Sequence, residues 1–481
     1  MHKTTMLFVA GIAILCCLPQ VVSAMEGGLG IKGYVKNATS IRASQDESGD
    51  ILKCENIVQI EPHYSLTDDI EFHGVFRLFH DSVFAVEDGG WTEDFRFKSE
   101  IRSCENYTIS EPVRELYADI RKGSFFIRLG KQQIAWGEAV GMKMLDVLNP
   151  QDYRELNQLD FEDSRIPMWS ANIRYSPRVM GSYLQLVLIP DVRPAYVPPA
   201  GHPFAPQPNE LFMSFIDGGM LHLKESPGIS RKIKNTEIGL KWYQNLSNIE
   251  YGVNYFYHFS DNAGLYPGDP VLNSDSSMNY IMKYHRYHTL GGSFTKVFGS
   301  IFGMEGVVLR GEVAVHLNDR VVSAYTTLFD DPANPFGIEM DKVDTFNYLI
   351  ALDKFFFTDY YLSFQFFQFI TLDHKDSYLD FSTIRDVDYT SMEIVASSLD
   401  KVNNVFTLFV STDYFQERVL PDILWVYSDD GAHWLRGRCH LKYSDHWGLS
   451  VGGNFYFGGN DTGLGQYHDV DNLFMEVKFE F

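Results

Sequence analysis

Four basic side chains stand at alternate positions in WLRGRCHLKY: Arg436, Arg438, His440 and Lys442. In an extended strand this spacing places all four on one face, opposite Leu435, Cys439, Leu441 and Tyr443. Cations this close repel one another unless acids face them. VRELYADIR offers Glu115, Asp119 and Arg121 at the same period, TEIGLKWY offers Glu237 and Lys241, and VVLRGEVAVH offers Arg310 and Glu312. The chemistry open to such residues is electrostatic. Basic and acidic walls facing each other across a wet channel create a transverse field that orients dipolar solutes and hinders apolar ones. The alternative is that the same charges pair in ladders that stiffen the wall.

Bond-making chemistry has no comparable signal. The chain contains no G-x-S-x-G, H-E-x-x-H or Walker motif, and its histidines are scattered. In HRYH, His285 and His288 fall on opposite faces of a strand. The expectation is a protein that is not an enzyme and has no cofactor and no metal site. With 63 Asp and Glu against 40 Lys and Arg, a formal charge of −23, it is a poor partner for nucleic acid.

The elements that carry these charges read as strands with two unlike faces. Ile238, Leu240 and Trp242 alternate with Glu237, Gly239 and Lys241; Val307, Leu309, Val313 and Val315 alternate with Arg310, Glu312 and His316. The last ten residues, NLFMEVKFEF, alternate in the same way down to Phe481. An exposed apolar last strand invites aggregation, whereas a closed barrel pairs it with the first strand. At the other end, Lys3, the apolar run Met6–Leu18 and the small residues Val22, Ser23 and Ala24 have the layout of a signal peptide over 1–24, leaving 25–481 as one domain. No later stretch is apolar enough for a membrane helix.

Segments of about ten residues are joined by turns that are alternately short and long. Strands pair across short turns at 57–66 with 70–80, 113–121 with 124–136, 167–175 with 183–190 and 233–243 with 249–259. Further pairs are 284–295 with 305–316, 343–354 with 360–371, 402–413 with 420–427 and 433–443 with 447–457. An opening strand at 31–37 and the closing strand bring the count to about eighteen, with fourteen and sixteen still open. The fold expected is all-β: a transmembrane antiparallel β-barrel with short periplasmic turns and long external loops at 81–112, 137–166, 191–232, 260–283, 317–342 and 372–401. Aromatic clusters at 254–258 and 353–361 suit interfacial girdles.

The most distinctive stretch is GSFFIRLGKQQIAWGEAVGMKMLDVLNPQDYREL. A strand runs into a bend at Trp136-Gly137-Glu138, and Asn149 with Pro150 has the form of a helix N-cap and first turn. Such a loop either folds into the lumen and narrows it, with Trp136, Glu138, Lys143, Asp146, Asn149 and Asp152 at the constriction, or lies on the outer rim. The segment RLGKQQIAWGEAVGMKMLDVLNPQD resembles the signature of the proteobacterial outer-membrane family called domain of unknown function 1302, through Gly130, Lys131, Gln132, Trp136, Gly137, Asn149, Pro150 and Asp152. Lys131 stands where that family more often has Arg. The resemblance implies a porin-like barrel, sometimes associated with hydrophobic or efflux substrates, and supplies no catalytic residues.

Cys54 and Cys104, in KCEN and SCEN, are read as lying on the first two external loops, where an oxidising compartment permits a bridge; Cys439 reads as a lipid-facing wall residue. The function expected is a passive channel for small solutes in the outer membrane of a Gram-negative cell. Its partners are outer-membrane lipid and the barrel assembly machinery, which reads the Phe481 strand; a homo-oligomer is left open. The alternatives are a gated conduit for hydrophobic compounds and a non-conducting barrel used for surface display.

Overall fold

The computed structural model describes most of residues 28–481. The stretches 1–27, 45–48, 87–111, 178–180, 199–201, 206–218, 220, 226–228, 230–231, 274–276, 302, 325–337, 358, 379–385, 389–392 and 396–398 lie outside the described residues. The expected signal segment falls among these, as does Cys104.

Eighteen strands form one sheet. They are β1 (Leu29–Arg42), β2 (Ile51–Thr67), β3 (Ile70–Asp81), β4 (Val113–Lys122), β5 (Phe125–Gln132), β6 (Met168–Tyr175), β7 (Ser182–Ile189), β8 (Glu237–Leu246) and β9 (Ile249–Phe259). The second half comprises β10 (Arg286–Ile301), β11 (Met304–Ala324), β12 (Ile338–Phe356), β13 (Tyr360–Thr371), β14 (Val402–Ser411), β15 (Val419–Ser428), β16 (His433–Lys442), β17 (Trp447–Phe457) and β18 (Asn472–Glu480). Each pairs antiparallel with the next, and β18 returns to β1 with Phe479 opposite Val35. Gly33 and Phe481 complete the seam by exchanging backbone hydrogen bonds at 2.9 and 3.0 Å. Among the described residues the eighteen-stranded sheet has no unpaired edge, which is what the alternating terminal strand requires.

The period-two pattern sets the faces. Ile238, Leu240 and Trp242 point outward at 39, 47 and 40% exposure, while Glu237 on the same strand is buried. Leu473 and Met475 point outward on β18. The connections 68–69, 123–124, 247–248 and 443–446 lie at one end, called here the turn end; the loops lie at the other. Gly123 enters the 123–124 turn at φ +60°, a left-handed conformation that costs a glycine nothing.

Three expectations need correction here. Every described residue of 317–342, that is 317–324 and 338–342, is strand: β11 and β12 stay in register from Asp319 with Val343 up to Ala324 with Ile338, which keeps their backbone groups hydrogen-bonded above the neighbouring strands. Not every loop-end connection is long, since 429–432 joins β15 to β16 in four residues. Cys54 lies within β2, opposite Thr39, because the β1–β2 ladder runs on to Ile41 and Ile51.

Candidate functional site

The site is built by residues 133–167, between β5 and β6. β5 ends at Gln132, four residues short of the Trp136 end expected from the sequence. The next backbone donors go elsewhere: the Ile134 N–H is bound by Asn149 Oδ1 at 2.8 Å, and Asn149 Nδ2 donates to the Ile166 carbonyl at 2.8 Å. Buried Asn149 thus straps the two ends of the loop together. That role replaces the expected N-cap, and the NPQDYREL helix does not form. Gln151 and Asp152 bridge instead to Arg165 and Tyr196, and the loop's single helical turn is Phe161–Ser164.

One arm of the loop seals against the wall with apolar contacts. Trp136 is 3% exposed, its indole N–H donates to Gln185 Oε1 at 3.0 Å, and its ring meets Phe256 edge-on at 6.1 Å. Ile134, Leu148, Met168, Val187 and Ile189 complete this cluster. The ring can lie there because residue 239 is glycine: a Cβ would stand 2.9 Å from Trp136 Cη2. Burying each large side chain of this kind is worth ~1.5–3 kcal/mol.

Further along, backbone polar groups are clamped by side chains of the far wall. Glu312 accepts the N–H groups of Glu138 and, at 3.1 Å, Leu145. Arg310 donates to the Glu138 carbonyl and forms a fork with Asp353 at 2.5 and 2.9 Å. Gln365 bonds Val140 in both directions, at 3.1 and 2.7 Å. Met144 joins an apolar cluster with the inward-facing Leu349, Phe367, Leu424 and Trp434. The inner wall is therefore not uniformly charged, as the alternation had suggested; it is apolar where the loop covers it.

The returning arm is held by charge. Glu155 meets Lys53 at 2.5 Å, Asp160 meets Arg438 at 3.3 Å and Arg436 at 3.9 Å, and Asp163 meets Arg77 at 2.7 Å and Arg114 at 4.0 Å. Gln158 bonds Asn454 and Tyr456 at 3.2 and 3.1 Å. The loop therefore touches wall strands from β2 round to β17 and crosses the lumen. Within it, Lys143 donates to Gln151 and to Ser164 Oγ and lies 3.7 Å from Asp146, whose carboxylate also takes Arg165 at 2.7 Å.

The charged faces pair locally and not across the channel. Arg436 and Arg438 take Asp422 on β15, at 3.5 and 2.8 Å, together with Asp160. Asp119 holds Arg128 at 2.6 and 2.8 Å, and Arg121 takes Glu71 at 2.9 Å. The expected field between the basic strand and the Glu115, Asp119, Arg121 strand is thus replaced by adjacent-strand pairs, which interact at shorter range than walls separated by water. His440 bonds Ser450 at 2.9 Å, and Lys442 lies 3.6 Å from Glu417 at the exposed rim. Glu237 accepts the Phe259 N–H at 2.8 Å, and Glu115 and Lys241 share the inward faces of β4 and β8. Lys131, buried, donates to the Val113 carbonyl at 2.6 Å, a contact that does not need the Arg fork.

Burial would raise the Asp163 carboxyl, but Arg77, Lys36 and Arg114 outweigh it and hold it at about 2. Burial brings the Lys143 ammonium down to about 8, against the pull of Asp146. Burial likewise raises the Glu138 carboxyl, opposed by Lys241 and Arg310.

Two cavities flank the returning arm. One of about 150 Å³ lies toward the loop end and is bordered by eight Lys and Arg against five Asp and Glu. The other, of about 890 Å³, opens toward the turn end. Lys36, Arg77, Asp163 and Glu476 border both. Among the described residues, His63, Glu71 and His73 each bring one potential metal-ligating atom to within 4.8 Å of the others. Nothing in their sequence spacing showed this, because His63 and His73 meet only through the β2–β3 register. Lys53, Arg77, Arg114 and Gln365 carry no local signal in the sequence, because their loop partners are remote in the chain.

A closed eighteen-stranded antiparallel barrel with almost no helix is the fold of the outer-membrane porins. The chain is similar to Pseudomonas aeruginosa OccK2 (OpdF) in complex with glucuronate, at 7% identity and a TM-score of 0.50, covering 95% of this chain and 99% of that one. It is also similar to Pseudomonas aeruginosa OccK11 (OpdR), at 9% identity and 0.49 over 95% and 98% of the two chains. Salmonella typhi OmpF in complex with daunomycin matches at 10% identity and 0.41 over 95% and 98%. No curated protein matches the sequence. The family model described as protein of unknown function (DUF1302) matches residues 96–481, and the chain belongs to that family.

Proposed function

We propose that the protein is an outer-membrane channel through which small polar solutes pass passively, with residues 133–167 as its constriction. The observation that carries this reading is the unequal sealing of the loop. Across β6–β9 and β12–β16 it is glued by apolar clusters, whereas along β1–β4 it is held by ion pairs beside two polar cavities. A water-filled route is therefore drawn to the β1–β4 side. The belt of outward Leu240, Val253, Leu290, Val313, Ile350 and Ile423 suits lipid and supports residence in the outer membrane.

A conduit for hydrophobic compounds draws on one observation, the inward Leu349, Phe367, Leu424 and Trp434; in this arrangement the loop itself covers them. Swelling of liposomes carrying the folded protein separates the readings. Passage of small neutral sugars with a sharp size limit is the expected result. No swelling with any sugar from a heat-modifiable, folded barrel would remove the channel reading and leave the hydrophobic conduit or the display barrel.

A further inference from the structure

Lys36, Arg77 and Arg114 stand on β1, β3 and β4, and all three border the same cavity as the carboxylate of Asp163. Arg77 reaches it at 2.7 Å and is itself set in place by the wall, donating to Gln59 Oε1 at 2.6 Å and to the Tyr34 hydroxyl at 3.0 Å. Arg114 lies 4.0 Å from Asp163 and donates to the Glu162 carbonyl at 2.6 Å. Lys36 is 3.7 Å from Glu476. The cations belong to the barrel wall, whereas Asp163 belongs to the loop turn Phe161–Ser164.

The charges balance only with Asp163 in place: three cations then face three carboxylates, Asp163, Glu476 and the Glu115 beside Arg114, and without it they face two. Three wall cations around a single carboxylate from another segment form a site already shaped for that group. A guanidinium presents its N–H donors in a fork that fits two carboxylate oxygens. The ion pair also stands where the two lumen cavities meet, so a solute moving along β1–β4 encounters it.

We propose that Lys36, Arg77 and Arg114 form a wall site for a small organic carboxylate, which the loop's own Asp163 occupies in the closed arrangement. An incoming carboxylate replaces Asp163 charge for charge, releasing the loop turn from the wall and widening the passage between the two cavities. The route to the site rests on the channel reading; the binding itself does not.

The test is calorimetric titration of folded, full-length protein in detergent with succinate, and separately with inorganic phosphate. Asp163→Asn removes the competing occupant and keeps the shape, so succinate binds this variant about tenfold or more tighter than the unaltered protein. Adding Arg77→Gln to it abolishes the gain. Equal affinity in D163N and the unaltered protein, a gain that survives R77Q, or tighter binding of phosphate than of succinate overturns the proposal. Heat-modifiable mobility establishes folding, and D163N alone decides the matter if the double variant fails to fold. Bilayer currents separate the two readings: steady conductance without succinate binding sinks the site and leaves the channel, whereas binding without conductance does the reverse.

Discussion

Glu312, on the inner face of β11, accepts the backbone N–H of Leu145 at 3.1 Å with one carboxylate oxygen and that of Glu138 with the other. A wall side chain here supplies what a neighbouring strand would supply in a sheet, so a segment with no ladder of its own is held at a fixed depth in the lumen. Buried amide groups left without such acceptors cost ~1–3 kcal/mol each. Glu312→Ala is therefore expected to free this part of the loop and to give larger, flickering current steps in planar bilayers, with Glu312→Gln intermediate because it keeps one acceptor oxygen. Steps unchanged in size and noise in E312A would show that the clamp does not set the opening.

Gly239 tests the apolar seal. A side chain there meets the Trp136 ring at once, since even a Cβ stands 2.9 Å from it. Gly239→Val should expel the indole and raise conductance while the barrel remains heat-modifiable. Trp136→Ala should lose ~3–5 kcal/mol of packing at the same place and act in the same direction. If both variants conduct as the parent does, the seal against β8 has no bearing on passage.

Lys53 and Glu155 are both mostly buried and 2.5 Å apart. Removing one partner of such a pair typically costs ~3–5 kcal/mol, because the other is left charged and unpaired. Lys53→Met should lower the thermal unfolding midpoint sharply, and adding Glu155→Met should recover much of the loss. Recovery will be incomplete, since Glu55 also acts on Lys53. Simple additivity of the two substitutions would mean that the pair is not coupled.

Two loop groups give opposite pH windows. Asp163 is depressed in the folded protein to about 2 from 3.8, so its contribution is present above pH 4 and is lost as pH falls toward 2. Lys143 is lowered to about 8 from 10.5, so the unfolded loop binds more protons between those values and the docked loop gains stability as pH rises from 8 to 10. Conductance recorded against pH should rise on acidification below pH 4 and fall above pH 8. Asp163→Asn should erase the acid limb and leave the alkaline one.

Much of the barrel was legible because lipid and lumen impose a period of two. Ile238, Leu240 and Trp242, or Leu473 and Met475, declare an outward face directly, and the aromatic last strand called for a partner that β1 provides. The inner wall was harder to read. In YYLSFQFFQFIT of β13 both faces are apolar, so alternation does not say that Phe367 points inward beneath the loop while Phe364 points to lipid. The loop's depth depends on Arg310, Glu312 and Gln365, which lie 167 to 225 residues from their partners. No local pattern encodes such contacts. Asn149 misled for a related reason: its side chain suits an N-cap, and here the same amide ties Ile134 to Ile166. The acids that neutralise Arg436 and Arg438 lie on the adjacent strand and in the loop, where pairing depends on register and on loop path.

The central claim is that residues 133–167 are the constriction of an open channel. Single-channel conductance of the refolded protein, with and without excision of residues 137–166, tests it most directly. Small, steady, salt-dependent steps from the intact protein and clearly larger ones from the excised form are predicted. Silence from both folded forms, or equal conductance from the two, would contradict it.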